Sequence, residues 1–325
     1  MLFVENDSLD PYFNIAAEEY LLKNFESDVI MLWRSNPSVI VGKHQNTLAE
    51  INLGFVRKNN IPVIRRLTGG GTVFHDPGNI NFTFIKQAEK EKLVDFKAHT
   101  APVIDFLNNI GVDARFEGKN DLRVNGLKIS GNAEHIFKNK VLHHGTLLFD
   151  ANLQTLSESI KSREPNFTSK AVKSVRSTVV NIASLPGVSM GREEFMEKLG
   201  TYLQGYFKNI NTYQFNDDDR RNVEKLKQEK YTQWIWNYGY SPQYTFKNSA
   251  SILNRNILVE LTVKKGIIEN LRLCIDLINQ DNNPLVQALN GQAHNPETVE
   301  SALSNQNFMG YNQIADKWLL TGLFF

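Results

Sequence analysis

Apolar side chains at Phe13, Ala16, Ala17, Tyr20 and Leu21 recur at the i, i+3, i+4, i+7, i+8 spacing, which predicts a helix with a core-facing stripe. Asp10 followed by Pro11 supplies its start. Short apolar runs at Val29 to Trp33 and Val39 to Val41 predict strands. Ser35, Asn36, Pro37 and Ser38 lie between them, the composition of a turn that would make a hairpin or near-hairpin. A short helical stretch precedes Ile61-Pro62-Val63-Ile64, a further strand that runs into Arg65-Arg66-Leu67-Thr68-Gly69-Gly70-Gly71. Beyond it Ile80, Phe82 and Phe84 alternate with Asn81 and Thr83, the pattern of a half-buried strand.

A helix over Ala101 to Ile110 is closed by Gly111. Asp121-Leu122-Arg123-Val124, then Asn125-Gly126, then Leu127-Lys128-Ile129-Ser130 predicts a two-residue hairpin, because Asn-Gly accepts the positive φ of a type I′ turn. That loop pairs Val124 with Leu127, Arg123 with Lys128, Leu122 with Ile129 and Asp121 with Ser130. One face is then apolar, and the other carries Asp121, Arg123, Lys128 and Ser130. Phe195, Leu199, Tyr202, Leu203 and Tyr206 mark an amphipathic helix. Ile257 to Val263, a Lys264-Lys265-Gly266 turn and Ile267 to Ile275 predict a second hairpin, followed by helical segments near 284–289, 296–303 and 311–320. The change of pattern near residue 247 divides the chain into a large domain, 1–246, and a small C-terminal domain, 247–325.

Composition narrows the class. The 325 residues carry 36 lysines and arginines against 35 acids, a balance that argues against nucleic-acid binding through bulk positive charge. Cys274, the only cysteine, permits neither an internal disulfide nor a thiolate metal cluster and suits a reducing, cytoplasmic setting. No window approaches the roughly 18 uninterrupted apolar residues of a membrane span. The first residues lack the basic and apolar regions of a secretion signal, so no membrane and no export are expected.

Gly69, Gly70 and Gly71 let backbone N–H groups turn towards an anion with no Cβ in the way, although such a run serves as often as a tight turn. Neither a Walker P-loop nor a G-x-G-x-x-G pattern is present. Arg65 and Arg66 before the loop offer guanidinium forks for carboxylate or phosphate; the alternative is two solvated charges at a strand end. Lys128 on the polar hairpin face would stabilise charge developing on a carbonyl or phosphoryl oxygen, or would simply face solvent. His143-His144 has no second ligand pair at zinc spacing, so metal ligation by these histidines is not expected. Asp76-Pro77-Gly78 reads as a turn, and Cys274 among Leu271, Leu273 and Ile275 as a buried apolar thiol.

The segment Arg65-Arg66-Leu67-Thr68-Gly69-Gly70-Gly71-Thr72-Val73-Phe74-His75-Asp76-Pro77-Gly78-Asn79 closely resembles the signature of the lipoate-protein ligase A family. The remaining segments follow in the family's order: Gly118-Lys119-Asn120-Asp121-Leu122, Lys128-Ile129-Ser130-Gly131-Asn132-Ala133, His143-His144-Gly145-Thr146-Leu147-Leu148, Ser174-Val175-Arg176-Ser177, and Trp234 with Trp236-Asn237-Tyr238-Gly239.

The resemblance implies an α+β fold: a large mixed-sheet domain of the biotin- and lipoate-ligase type with a small C-terminal α/β accessory domain. It implies a ligase that makes lipoyl-AMP and pyrophosphate from lipoate, ATP and Mg2+. The lipoyl group then passes to a lysine on acidic carrier domains, those of 2-oxoacid dehydrogenase E2 subunits or the glycine cleavage H protein, with octanoate left open as a second acyl substrate. A monomer and a cytoplasmic location are implied as well. Carried over by motif, Lys128 is the catalytic lysine and Asp121 orients it or helps hold Mg2+. Arg66, Gly71, Val73, Phe74, Asn79 and Lys128 would meet ATP or the adenylate. Arg66, Thr68, Gly69, Gly70, Gly71, His144, Gly145, Thr146 and Leu147 would meet the lipoyl group. The rival within the superfamily is an ATP-independent lipoyl or octanoyl transferase. A cysteine-dependent form is disfavoured by the lack of a cysteine in the large domain, and a lysine-dependent form is separated by its indifference to ATP. A non-catalytic binding module is the reading from another class, disfavoured by Lys128 and the glycine loop.

Overall fold

Asp10 accepts hydrogen bonds from the backbone N–H groups of Tyr12 and Phe13, and Pro11 occupies the first turn, so helix α1 runs Pro11–Asn24 as the sequence predicts. Its buried side includes Asn14, Glu18 and Glu19 besides the apolar stripe. The computed structural model describes residues 1–87, 94–160, 166–175 and 177–325, which fold into two compact units. The first comprises Met1–Lys43, Pro62–Ser157 and Ser174–Gln233; the second comprises His44–Ile61, Glu158–Lys173 and Trp234–Phe325.

In chain order the strands are β1 (Leu2–Glu5), β2 (Val29–Trp33), β3 (Ser38–Val41), β4 (Val63–Arg65), β5 (Val73–His75), β6 (Asn79–Gln87), β7 (Arg115–Glu117) and β8 (Asp121–Val124). They continue as β9 (Leu127–Phe137), β10 (Lys140–Leu148), β11 (Phe167–Ser169), β12 (Asn211–Gln214), β13 (Tyr244–Ile252), β14 (Arg255–Lys264), β15 (Ile267–Ile275) and β16 (Ile278–Asn279). The first unit holds a mixed sheet in the order β12-β1-β2-β6-β10-β9-β8-β7 and a small sheet, β4-β3-β5. Strands β2 and β3 therefore belong to different sheets and are not the expected hairpin. The buried Asn14 amide donates to Arg34 O at 2.8 Å and Ser8 O at 3.0 Å, and Asn36 N–H donates to Leu9 O at 2.8 Å. These bonds tie the chain leaving β2 to the start of α1 and turn it out of the large sheet.

One face of the large sheet carries the core: Ile30, Leu32, Ile80, Phe82, Phe84 and Leu147 pack with Phe106 and Leu107 of the helix Phe96–Asn109 and with Phe195 and Leu199 of the helix Arg192–Tyr206. The other face receives α1. Asn79 to Ile85 are all buried, so β6 is not the half-buried strand its alternation predicts. Its polar positions turn away from the core without reaching solvent. Trp33 Nε1 donates to Thr83 Oγ1 at 2.9 Å, and Thr83 Oγ1 donates to Glu18 Oε1 at 2.6 Å. A polar layer is thus buried under α1.

The second unit is built on an antiparallel sheet, β11-β13-β14-β15-β16. Ile257, Val259, Leu261 and Val263 alternate inward along β14, and Lys265 and Gly266 take positive φ in the turn to β15, as the sequence predicts. The segment 311–320 is not one helix: Phe308–Gln313 is a 3-10 turn, and Asp316 accepts from Trp318 N–H to start a separate helix at Trp318–Thr321. His294 donates from Nε2 to Phe324 O at 2.7 Å and accepts from Tyr244 Oη at 2.6 Å on Nδ1. No helix among the described residues is long and apolar enough to cross a membrane.

Candidate active site

The turn at Asn125 and Gly126, both at positive φ, pairs Val124 with Leu127 and Arg123 with Lys128 as the sequence predicts. The register then shifts. Leu122 faces Ser130, not Ile129, and Asp121 faces Gly131, not Ser130, because β9 holds one extra residue in a bulge. The physical reason lies on the other edge of β9, where Lys128 N–H donates to Thr178 O at 2.9 Å and Val180 N–H donates to Lys128 O at 3.0 Å. Counting back by twos from Gly131 would put Ile129 on Gly131's face. The bulge reverses this, so that Ile129 enters the core and the Lys128 side chain lies over Gly131. A Cβ on Gly131 would stand 3.1 Å from Lys128 Nζ and 3.2 Å from its Cε. Ser130 is fully buried, so it does not join the polar face assigned to it.

Lys128 Nζ stands 2.8 Å from Asp121 Oδ1, and Arg123 Nη2 donates to Asp121 Oδ2 at 2.7 Å and to Ser177 Oγ at 3.1 Å. Both oxygens of Asp121 are engaged by cations of the chain. That suits a carboxylate that orients a lysine, and a magnesium ion at Asp121 would have to share these oxygens with Lys128 and Arg123.

The glycine loop lies over the same face of β9. A Cβ on Gly70, whose φ is +84°, would meet Arg66 Nη2 at 3.1 Å and Ala133 Cβ at 3.8 Å. Ala133 is two residues beyond Gly131, about 7 Å along a strand. Neither Arg65 nor Arg66 is a solvated surface charge. Arg65 donates to Gly42 O and Lys43 O. Arg66 donates from Nε to Thr68 Oγ1 at 2.8 Å, from Nη1 to Ile40 O at 3.0 Å, and from Nη2 to Gly69 O at 2.6 Å and Gly71 O at 2.7 Å. Burial lowers its pKa to about 10, which leaves it cationic at neutral pH. Arg66 thus fixes the loop's carbonyls inward, and Thr72 N–H bonds Ser174 Oγ at 2.9 Å. Arg176 of that neighbouring segment lies outside the described residues.

A polar chain continues from the loop. Thr68 Oγ1 and His144 Nε2 are 2.8 Å apart, and His144 Nδ1 lies 2.9 and 3.0 Å from the two oxygens of Glu18. Nδ1–H donates to the carboxylate, Nε2 accepts from Thr68, and Thr68 accepts from Arg66. Strand alternation separates the β10 residues expected to meet the lipoyl group. His144 and Thr146 face this layer, while Leu147 packs in the core of the opposite face. Gly145 also turns to that opposite face, where a Cβ would meet Asn132 Oδ1 and Phe82 Cζ at 2.2 Å. Leu147 is a core residue, and Gly145 is demanded by packing.

The buried side-chain atoms with no hydrogen-bond partner among the described residues include both ring nitrogens of His75, Asn79 Oδ1 and Asn81 Nδ2. Asn79 Nδ2 donates to Asn81 Oδ1 at 2.8 Å, and the His75 ring meets Trp33 edge-on. Burial, with His144 and Arg66 nearby, drives the His75 pKa down to about 3, so its ring is neutral and offers one donor and one acceptor. Such groups fit a polar ligand. Val73 and Phe74 lie on β5, an edge strand of the small sheet, so one side of their backbone is outside its ladder. Glu18, Asn81 and His75, to which the sequence motifs assign no role, are buried beside these residues. The signal for Glu18 was an acid on the buried stripe of a helix.

The lipoyl protein ligase A/B catalytic domain matches residues 10–204, and the bacterial lipoate protein ligase C-terminus matches residues 241–320. Lipoate–protein ligase 1 of Staphylococcus aureus is 36% identical over 315 residues, 96% of each chain. Lipoate-protein ligase LplJ of Bacillus subtilis is 36% identical over 317 residues, again 96% of each. Among solved structures, a lipoate-protein ligase A bound with ATP superimposes with a TM-score of 0.62 at 25% identity, over 74% of this chain and 98% of that one. With a catalytic-domain match over more than half of the chain and relatives 36% identical over 96% of it, the chain belongs to the lipoate-protein ligase family.

Proposed function

We propose that the chain activates lipoate with Mg-ATP to lipoyl-AMP and pyrophosphate, then transfers the lipoyl group to the ε-amine of a lysine on an acidic carrier domain, of a 2-oxoacid dehydrogenase E2 subunit or a glycine cleavage H protein. The observation that carries the reading is the placement of Lys128 over Gly131, on the strand face that the Gly69–Gly71 loop also covers. A carboxylate and an amine do not condense unaided. Adenylation supplies the leaving group, and a fixed ammonium stabilises charge on the carboxyl and α-phosphate oxygens in both half-reactions.

Asp121 holds the ammonium in place, and Arg66 sets the backbone of Gly69 and Gly71 for the acyl-phosphate region. Asn79 and the edge backbone of Val73 and Phe74 serve the nucleotide, with His75 and Asn81 beside them, while Thr68, His144 and Thr146 serve the lipoyl chain. Magnesium enters with ATP, held by the triphosphate as in other nucleotide-dependent enzymes. Residues 247–325 act as an accessory domain, and the enzyme works as a cytoplasmic monomer.

The test incubates the purified chain with lipoate, ATP and Mg2+, with and without an apo carrier domain, and follows pyrophosphate and the mass of lipoyl-AMP. Adenylate that accumulates and is discharged onto the carrier is the expected result. Carrier modification from another acylated carrier without pyrophosphate would replace the ligase with a transferase.

A further inference from the structure

The register of β9 and β10 sets His143 directly opposite Glu134. The first turns of the helix Phe96–Asn109 bring His99 to the same point. Glu134 Oε1 lies 2.9 Å from His143 Nδ1 and 3.0 Å from His99 Nδ1. The three donor atoms all lie within 4.8 Å of one another. His143 is fully buried, and the rings of Phe82, Phe84 and Phe96 surround it. This is the core face of the sheet, opposite the face that carries His144 and Lys128.

Proton bookkeeping makes the cluster unusual. Asn132 Nδ2 donates to Asn120 O at 3.0 Å and to Ser130 Oγ at 3.3 Å, which fixes the orientation of its amide. Asn132 Oδ1 is therefore the atom 3.3 Å from His143 Nε2, and Nε2 must carry the hydrogen. His143 Nδ1 then faces a buried carboxylate oxygen, a contact that a cation between the two atoms, a proton or a metal ion, would join. Glu134 Oε2 is also buried and has no hydrogen-bond partner among the described residues.

We propose that His99 Nδ1, His143 Nδ1 and the Glu134 carboxylate form a binding site for a divalent transition-metal ion of the zinc type, which pins the start of the helix Phe96–Asn109 to β9 and β10. Two imidazoles and one carboxylate are a donor set for zinc, cobalt or nickel; magnesium and calcium prefer oxygen alone. The Nε2–H of His143 on Asn132 is the outer hydrogen bond that metal-bound histidines generally make. The Asp95 carbonyl, 2.9 Å from His99 Nδ1, accepts a hydrogen bond from that nitrogen, so metal binding would replace this proton and leave the carbonyl oxygen beside the ion. Donors about 2.0–2.1 Å from a tetrahedral ion stand about 3.3 Å apart, so the two carboxylate–imidazole distances of 2.9 and 3.0 Å have to open slightly, while the two imidazoles, stacked with centroids 5.0 Å apart, have to turn their Nδ1 atoms to a common point. Spacing in the sequence hides this site, because its ligands come from a helix and two strands and no pair shares a familiar interval.

The full chain, freed of metal by chelator and dialysis, is titrated with Zn2+ by calorimetry and with Co2+ by visible absorption. One saturable ion per chain is expected, with the intense d–d bands of a low-coordinate nitrogen and oxygen site. His99→Ala and Glu134→Gln should each weaken binding by at least about tenfold, since even outer partners of a metal site contribute that much. Zn2+ should also raise the melting temperature of the unaltered chain more than that of either variant. If the unaltered chain binds no stoichiometric Co2+, or if both folded variants bind as it does, the cluster is a hydrogen-bonded pair of histidines on a carboxylate and the proposal fails. The Co2+ spectrum of the unaltered chain decides the matter even where a variant does not fold.

Discussion

Lys128 Nζ and Asp121 Oδ1 stand 2.8 Å apart across a hairpin whose bulge, and not its turn alone, puts them on one face. The ammonium is partly exposed, and its removal takes away no core volume. Lys128→Ala should lower lipoyl-AMP formation by about 10²–10³-fold or more, the usual effect of removing a donor from a developing oxyanion. Circular dichroism and the melting temperature should stay near those of the unaltered chain. Near-normal pyrophosphate release by this variant would remove Lys128 from the chemistry.

Much of this arrangement was legible in the sequence, and the failures have local causes. The Asn-Gly turn fixed the first two pairs of the hairpin, because a two-residue loop leaves no freedom there. It said nothing of the bulge, which is set by the distant segment Thr178 to Val180 pairing along the outer edge of β9. The alternation of β6 predicts a half-buried strand, whereas Asn79 to Ile85 are buried on both faces. That the polar face is buried followed from Glu18, whose partners Thr83 and His144 lie 65 and 126 residues away. His143 and His144, neighbours in sequence, serve opposite faces of one sheet. Their separate roles emerged only when Glu134 and Glu18 were placed.

Arg66 makes four hydrogen bonds to Thr68, Ile40, Gly69 and Gly71, a fork that a lysine cannot reproduce. Arg66→Lys keeps the charge and loses the shape. With the loop less organised, kcat/KM for adenylation should fall by about 10–100-fold, or about 1.4–2.8 kcal/mol. A lysine variant with full activity would show that charge alone matters at this position.

Gly145 sits where a Cβ would meet both Asn132 Oδ1 and Phe82 Cζ at 2.2 Å, in the middle of two strand ladders. Gly145→Ala should destabilise the chain by about 1–3 kcal/mol through overpacking. Denaturant unfolding should register this as a lower midpoint with an unchanged slope. An unchanged midpoint would mean that β10 shifts freely, contrary to its pairing on both edges.

Acid should weaken the fold through buried neutral histidines. Burial lowers the pKa of His75 to about 3 and that of His294 to about 4, against about 6.5 in an unfolded chain. For His294 the reason is visible: Nε2–H already serves Phe324 O, Nδ1 accepts from Tyr244, and the ring stacks on Phe325 at 4.7 Å, so a second proton has no acceptor. Because the folded values are depressed, the unfolded chain binds more protons below pH 6.5, and stability rises with pH across that range. Each histidine should therefore remove about 2 kcal/mol between pH 6.5 and pH 5. The loss continues until the pH passes the folded value, near 4 for His294 and near 3 for His75. Unfolding curves at pH 7.5, 6 and 5 measure the slope, and His294→Gln, which cannot titrate, should remove one histidine's share of it. A slope that is flat over this range, or unaltered in the variant, would show that His294 takes up its proton without unfolding.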